Sequence, residues 1–115
     1  MFVGHESAVP KAPVAAPGAE KVWKQLLVGP GQGWQGWVMR RFTLEPGGHT
    51  PRHRHPWPHI NYILQGRGVL FLEGEEHAVA PGSVGYVPPN AEHQFTNTGR
   101  ENFVFICIVP EHGDV

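Results

Sequence analysis

Three histidines fall within seven residues, His53, His55 and His59 in the segment PRHRHPWPH, and a fourth, His93, opens a later alternating stretch. Imidazole is the commonest biological metal ligand and suits Zn, Cu, Fe, Ni and Mn in differing degrees. Residues two apart on a strand point the same way, so His53 and His55 share a face. Pro56 and Pro58 bend the chain stiffly and can bring His59, at the start of the next strand, back towards them. In His93–Thr98, His93 shares parity with Phe95 and Asn97 and points inward. Four imidazoles on rigid strands could hold one ion without a loop ordering first. The plain alternative is a loop in which surface histidines happen to cluster. The third histidine and the prolines weigh against it.

The elements that would position these side chains are short. Fifteen Gly and twelve Pro leave no stretch free of both longer than ten residues, which excludes a helical bundle and leaves many strands joined by tight turns. Alternation and punctuation give strands at Val22–Val28, Trp37–Glu45, His49–His53, His59–Gln65, Gly68–Glu73, His77–Ala80, Ser83–Val87, His93–Thr98 and Asn102–Val109. Pro46-Gly47-Gly48 reads as a turn between the second and third of these. Residues 1–19, rich in Pro, Ala and Gly, read as an extended or poorly ordered arm, and residues 20–115 as one barrel domain. The pattern is all-β, a small barrel or double-sheet sandwich. Ile60–Leu64 and Phe103–Val109 carry large apolar residues on both parities, so both faces should be covered, one of them by a second sheet or another copy of the chain.

Composition removes several classes of function. The 115 residues carry a net charge of −1 with scattered Lys and Arg, so neither nucleic acid nor an anionic membrane surface has an electrostatic partner. The longest apolar run, Phe103–Val109, is too short to cross a bilayer, and the N-terminus lacks the pattern of a signal peptide, so a cytoplasmic protein is expected. Cys107 is the only cysteine, which excludes an intrachain disulfide. Asp114 is the only aspartate, at the C-terminus, which excludes a triad built on a buried Asp. No phosphate loop or dinucleotide fingerprint is present.

The spacing of the histidines resembles the cupin superfamily. Its first motif appears as Gly47, five residues, His53-Arg54-His55, three residues, His59, six residues, Gly66. Its second appears as Gly82, five residues, Pro88-Pro89-Asn90, two residues, His93, three residues, Asn97. Two positions depart from the family pattern. His59 stands where a Glu is usual, and Asn90 replaces a Gly, a mild change because Asn tolerates positive φ. The resemblance implies a double-stranded β-helix (jelly-roll) barrel and one divalent metal at His53, His55, His59 and His93. The segments EPGG, RHRHPWPH and CIVP are similar to small, thermophile-type, four-histidine members that bind manganese, so Mn is the first expectation, with Fe, Cu, Ni, Co or Zn as alternatives. Four neutral ligands leave a divalent site at +2, a stronger Lewis acid than one with a carboxylate. In an octahedral shell they leave two positions open, enough for O2 and substrate.

Arg40 shares parity with Phe42 and Leu44 and faces the expected cavity. It either recognises a carboxylate, enolate or phenolate, or makes a structural bond. Cys107 shares parity with Phe105 and Val109 and is either a core thiol or an oxidisable group beside the metal. Arg40 and Cys107 are thus the candidates for direct participation in catalysis. With Phe42, Phe95 and Phe105 they would line a pocket suited to a small aromatic or unsaturated substrate. Trp57, between two prolines, reads as a lid or a dimer contact. His5, His77 and His112 read as solvated, and the side of His49 is open.

Two readings follow. One is a metal-dependent oxygenase or dioxygenase-type oxidoreductase, with a non-redox isomerase or lyase as a variant. The other is a binding module, a sensor, carrier or store for a small ligand. The lack of a carboxylate base near the histidines favours redox chemistry over proton transfer. A homodimer is expected, because apolar strand faces need cover.

Overall fold

The computed structural model describes residues 1–114. Val115, the expected end of the barrel domain, lies outside the described residues. Nine strands form the fold: β1 Ala12–Pro13, β2 Glu20–Val28, β3 Trp37–His49, β4 His59–Gln65, β5 Gly68–Leu72, β6 Glu75–Val79, β7 Val84–Val87, β8 His93–Asn97 and β9 Phe103–Pro110. They join one curled sheet in the order β6-β5-β8-β3-β9-β4-β7, with β2 on β3 and β1 on β2. Every pairing is antiparallel. The chain is an all-β jelly-roll barrel, and three single 3-10 turns are its only helical elements among the described residues. No helix among them is long and apolar enough to cross a membrane.

One long strand joins the two halves of the barrel. Trp37–Leu44 of β3 pairs with β9, and His49 at its far end pairs with Thr96 of β8. Between these, Glu45–Gly48 bulges out against the single residue Lys21 of β2. A Cβ at Gly48 would lie 2.8–2.9 Å from three backbone carbonyls, so only glycine fits this corner. Pro46-Gly47-Gly48 is therefore a bend inside one strand and not a turn between two.

The expected strand His49–His53 is absent. Residues 50–58 run without ladder pairing apart from one bridge, His53 to His93. Pro51, Pro56 and Pro58 lack the N–H that a strand interior needs, which accounts for the difference. β3 runs four residues past its expected end, the other strands fall within two residues of their expected limits, and β1 is additional.

The N-terminal segment is extended and docked. Val14 N–H donates to the Val22 carbonyl at 2.9 Å, Gln25 Nε2 donates to the Glu6 and Val9 carbonyls at 3.0 and 2.8 Å, and Arg41 pairs with Glu6 at 3.2 Å.

Inward parity assembles the core. Val38, Leu44, Phe103, Phe105 and Val109 are fully buried, and Phe105 stacks between Phe95 at 4.2 Å and Phe42 at 5.4 Å. On β9 both parities are largely covered. On β4 only His59, Asn61 and Ile63 are, while Ile60, Tyr62 and Leu64 face solvent. The expectation that both β4 faces are buried does not hold within one chain. The curl of the sheet turns that face away from every other element.

Gly66 tests the tightest turn. Its φ is +78°, and a Cβ there would collide with the Asn102 carbonyl. Gly74, φ +83°, has open space where its Cβ would lie. Gly74→Ala is expected to cost about 1–2 kcal/mol from backbone conformation alone. Gly66→Ala adds the collision and is expected to cost about 3 kcal/mol or more. Thermal unfolding of the two variants side by side reads the difference.

Candidate metal centre

The loop carrying His53 and His55 is held by the strand carrying His93. His53 N–H donates to the His93 carbonyl at 3.2 Å, and His93 N–H returns the bond to His53 at 2.9 Å. Thr50 N–H donates to the Phe95 carbonyl at 2.9 Å, and Phe95 N–H to Thr50 Oγ1 at 2.9 Å. Asn90 N–H donates to the His55 carbonyl at 2.7 Å. Asn90 sits at φ +67°, the left-handed conformation expected where the family pattern has Gly. The two histidine motifs thus fasten each other by backbone bonds, and the prolines stiffen the span between.

All four imidazoles converge. One ring nitrogen from each of His53, His55 and His93 lies within 4.8 Å of the others. His59 joins through His93, the two Nε2 atoms being 3.2 Å apart, and its ring centroid is 5.4 Å from that of His55. His59 and His93 are buried, and His55 is partly so.

Three of the rings have their tautomer set from behind. His55 Nδ1–H donates to the Trp57 carbonyl at 2.8 Å, and His93 Nδ1–H to the Ala91 carbonyl at 2.9 Å. His59 Nδ1–H donates to Asn61 Oδ1 at 2.8 Å. Their Nε2 atoms are therefore bare lone pairs. The close approach of His59 and His93 cannot be a hydrogen bond between neutral rings, since both nitrogens are acceptors. Burial, with each ring's cationic form repelled by its neighbours, pushes His59 down to about 3 and His93 to about 4. Burial also lowers His53 and His55. The rings are neutral at neutral pH and keep their lone pairs.

A transition-metal ion fits this donor set. Two imidazole nitrogens bound about 2.1 Å from one ion stand about 3.0–3.4 Å apart, the range between octahedral and tetrahedral angles. The observed 3.2 Å falls inside it.

The same floor opens into a cavity of about 480 Å3. Phe42, Phe95 and Phe105 line it, as the parity of their strands indicates, together with Val14, Ala16 and Pro17 of the N-terminal segment. Register explains the polar row beside the histidines. Arg40 of β3 lies opposite Cys107 of β9, which lies opposite Asn61 of β4. Arg40 Nη2 donates to Cys107 Sγ at 3.1 Å. Burial pushes the Cys107 thiol above its ordinary value although Arg40 and Asn61 pull it the other way, so it is a neutral thiol.

Sequence reasoning missed two positioning residues. Asn61, two places after His59 on one strand, shares its face, and parity alone could have identified it. Trp57 is neither a free lid nor an exposed contact. It stacks on His55 at 4.7 Å and 8°, and packs edge-on against His112. His49 points away to the Thr50 carbonyl and Gln94, outside the cluster. His5 and His77 are exposed and distant in the fold.

A jelly-roll barrel with converging histidines on its floor defines the class, a barrel protein with a candidate metal centre. The cupin domain model of the Cupin_2 family matches residues 40–109, more than half of the chain, and the chain belongs to that family. It is 36% identical over 93 residues to 1-methylthio-D-xylulose 5-phosphate methylsulfurylase of Rhodospirillum rubrum, covering 81% of this chain and 58% of that protein. It is 34% identical over 77 residues to auxin-binding protein T85 of Nicotiana tabacum, covering 58% and 41%. The chain therefore spans about half the length of these relatives. Among solved structures, the polyketide cyclase RemF from Streptomyces resistomycificus superposes with a TM-score of 0.89 at 29% identity, covering 96% of this chain and 79% of that one. The named activities differ widely, so the family does not select one.

Asn61→Ala removes the acceptor that fixes the His59 tautomer while leaving every imidazole in place. Metal affinity is expected to fall about 10–100-fold. Competition with a chromogenic chelator measures it, and an unchanged affinity would remove Asn61 from the site.

Proposed function

We propose that the protein is a metal-dependent oxidoreductase of the dioxygenase type, using His53, His55, His59 and His93 to hold one divalent ion, Mn first among the candidates. The carrying observation is the cluster of neutral imidazole lone pairs beneath an aromatic-walled cavity with no Asp or Glu among the described residues that line it. A bound transition ion would supply Lewis acidity and one-electron chemistry towards O2 and a small aromatic or unsaturated molecule. The chain's own residues do the rest. Trp57, Asn61 and the Ala91 carbonyl orient the imidazoles, and the phenylalanines exclude water and seat an apolar body. Proton-transfer chemistry is the weaker reading, because no Asp or Glu lines the cavity to act as base. The single unpaired cysteine, buried and neutral, accords with a cytoplasmic setting.

A second reading is a ligand-binding module without turnover, favoured by the likeness to proteins named for auxin binding. Elemental analysis of tag-free protein, followed by oxygen-uptake screens with aromatic alkenes and phenols, separates the two. About one equivalent of Mn, Fe, Cu, Co or Ni with oxygen consumption is expected. His93→Ala should lose metal and activity together. Ligand binding without oxygen consumption under every metal would establish the second reading instead.

We also propose that the outer face of β4, β7 and β9 docks a second copy of the chain. Two cross-strand rows build it, Ile108–Ile60–Tyr86 and Ile106–Tyr62–Val84. Ile60, Tyr62, Val84 and Tyr86 are 49%, 49%, 75% and 58% exposed. The rows hold no charged residue. Arg41, which continues the second row on β3, is paired with Glu6. Such a patch meets itself across a two-fold axis without like-charge repulsion, and an exposed apolar sheet face of this kind marks an interaction site. Light scattering after gel filtration is expected to give a dimer at micromolar concentration, and Ile60→Glu with Tyr86→Lys a monomer of unchanged fold by circular dichroism. A monomeric parent protein would overturn this.

A further inference from the structure

We propose that the ligand of this cavity carries an acidic oxygen, a carboxylate first among them, which Arg40 binds, while its aromatic or alkenyl body lies against Phe42 and Phe105. This rests on reading the cavity as the substrate site and adds the chemical class of the occupant.

The Arg40 side chain is 10% exposed and lines the cavity. Among the described residues its one ion pair is long. Nη2 donates to the thiol of Cys107, a weak acceptor that stays protonated. Nη1 reaches Asp114 only at 3.5 Å, and Asp114 is held more closely by Lys24 at 3.1 Å. Nε is buried and has no partner among the described residues. A buried guanidinium with a free N–H is unfavourable unless something completes it, and its planar fork of donors matches a carboxylate.

The surroundings select the same charge. Arg40 and Arg52 both line the cavity, and no Asp or Glu does. A divalent ion on neutral imidazoles would add positive charge to the same space. An anion is favoured there and a cation is opposed. The apolar part is equally placed. The Arg40 guanidinium sits 4.9 Å from the Phe42 ring centroid, and Phe42 continues into the stack with Phe105. A ligand with its acid at Arg40 lays its body along these rings.

Benzoate and its neutral counterpart benzyl alcohol test this by calorimetry on zinc-loaded protein, where zinc is redox-silent and no turnover intervenes. Benzoate is expected to bind at least tenfold more tightly than benzyl alcohol. Arg40→Met should remove that preference, and Arg40→Lys should keep part of it. Should Arg40→Met fail to fold, the parent comparison and Arg40→Lys still decide. Equal affinity for the two probes, no binding of benzoate, or a benzoate preference that survives Arg40→Met would each overturn the proposal. The outcome is separable from the oxygenase reading. Arg40-dependent benzoate binding without oxygen consumption under any metal would remove only the oxygenase activity. Oxygen-consuming turnover of neutral alkenes with no benzoate binding would remove only the anion subsite.

Discussion

Two bare imidazole nitrogens, on His59 and His93, face each other at 3.2 Å inside the barrel, and much of the fold serves to keep them there. Neutral lone pairs at that distance repel. Each ring could relieve the contact by rotating or by taking a proton. Rotation is opposed by the Nδ1 bonds to Asn61 and the Ala91 carbonyl, and protonation by burial. The arrangement is held by the surrounding β-structure, through the reciprocal backbone bonds of His53 and His93 and the fixing of His55 by Asn90. A site preorganised in this way favours a cation because the alternatives have been closed off.

Most of the architecture was readable because its signals are local. Strand parity placed Arg40, Phe42, His93 and Phe95 on inner faces, and the structure puts all four around one cavity. The positive φ of Asn90 followed from residue type and position in the motif. The failures came where long-range pairing overrides local pattern. Gly47-Gly48 looks like a strand break, yet β3 bulges there against a single residue of β2 and continues. His49–His53 alternates well enough to suggest a strand, but Pro51 in its middle cannot join a ladder, and beyond His49 it is Thr50 and His53 that bond to β8. His53 and His55 still reach one site, through the loop's fastening to β8 and not through strand parity. The role of Trp57 depends on His55 and His112 meeting it in space, which no spacing rule encodes.

The N-terminal segment shows the same limit from the other side. Its composition resembles a linker, with Pro, Ala and Gly and few apolar anchors. Its order comes from partners far along the chain: the Gln25 amide, the Arg41 charge and the β2 edge. The consequence reaches the site, because Val14, Ala16 and Pro17 form part of the cavity wall. A stretch with weak local preference thereby sets how wide the cavity opens.

The energetics of a small barrel tie these features together. A chain of 115 residues with no disulfide has a modest core, and this one places four imidazoles and a guanidinium near its centre. His59, His93 and Arg40 are buried polar groups whose cost must be offset by a partner. His55, His59 and His93 spend one nitrogen on the protein and keep the other free, and Arg40 keeps its Nε free among the described residues. The open imidazole nitrogens and the Arg40 guanidinium thus share the cavity with the aromatic wall of Phe42, Phe95 and Phe105. An ion on the imidazoles and an anion on Arg40 would each complete groups that the fold leaves open, so ligand binding and folding stability are coupled through the same few atoms.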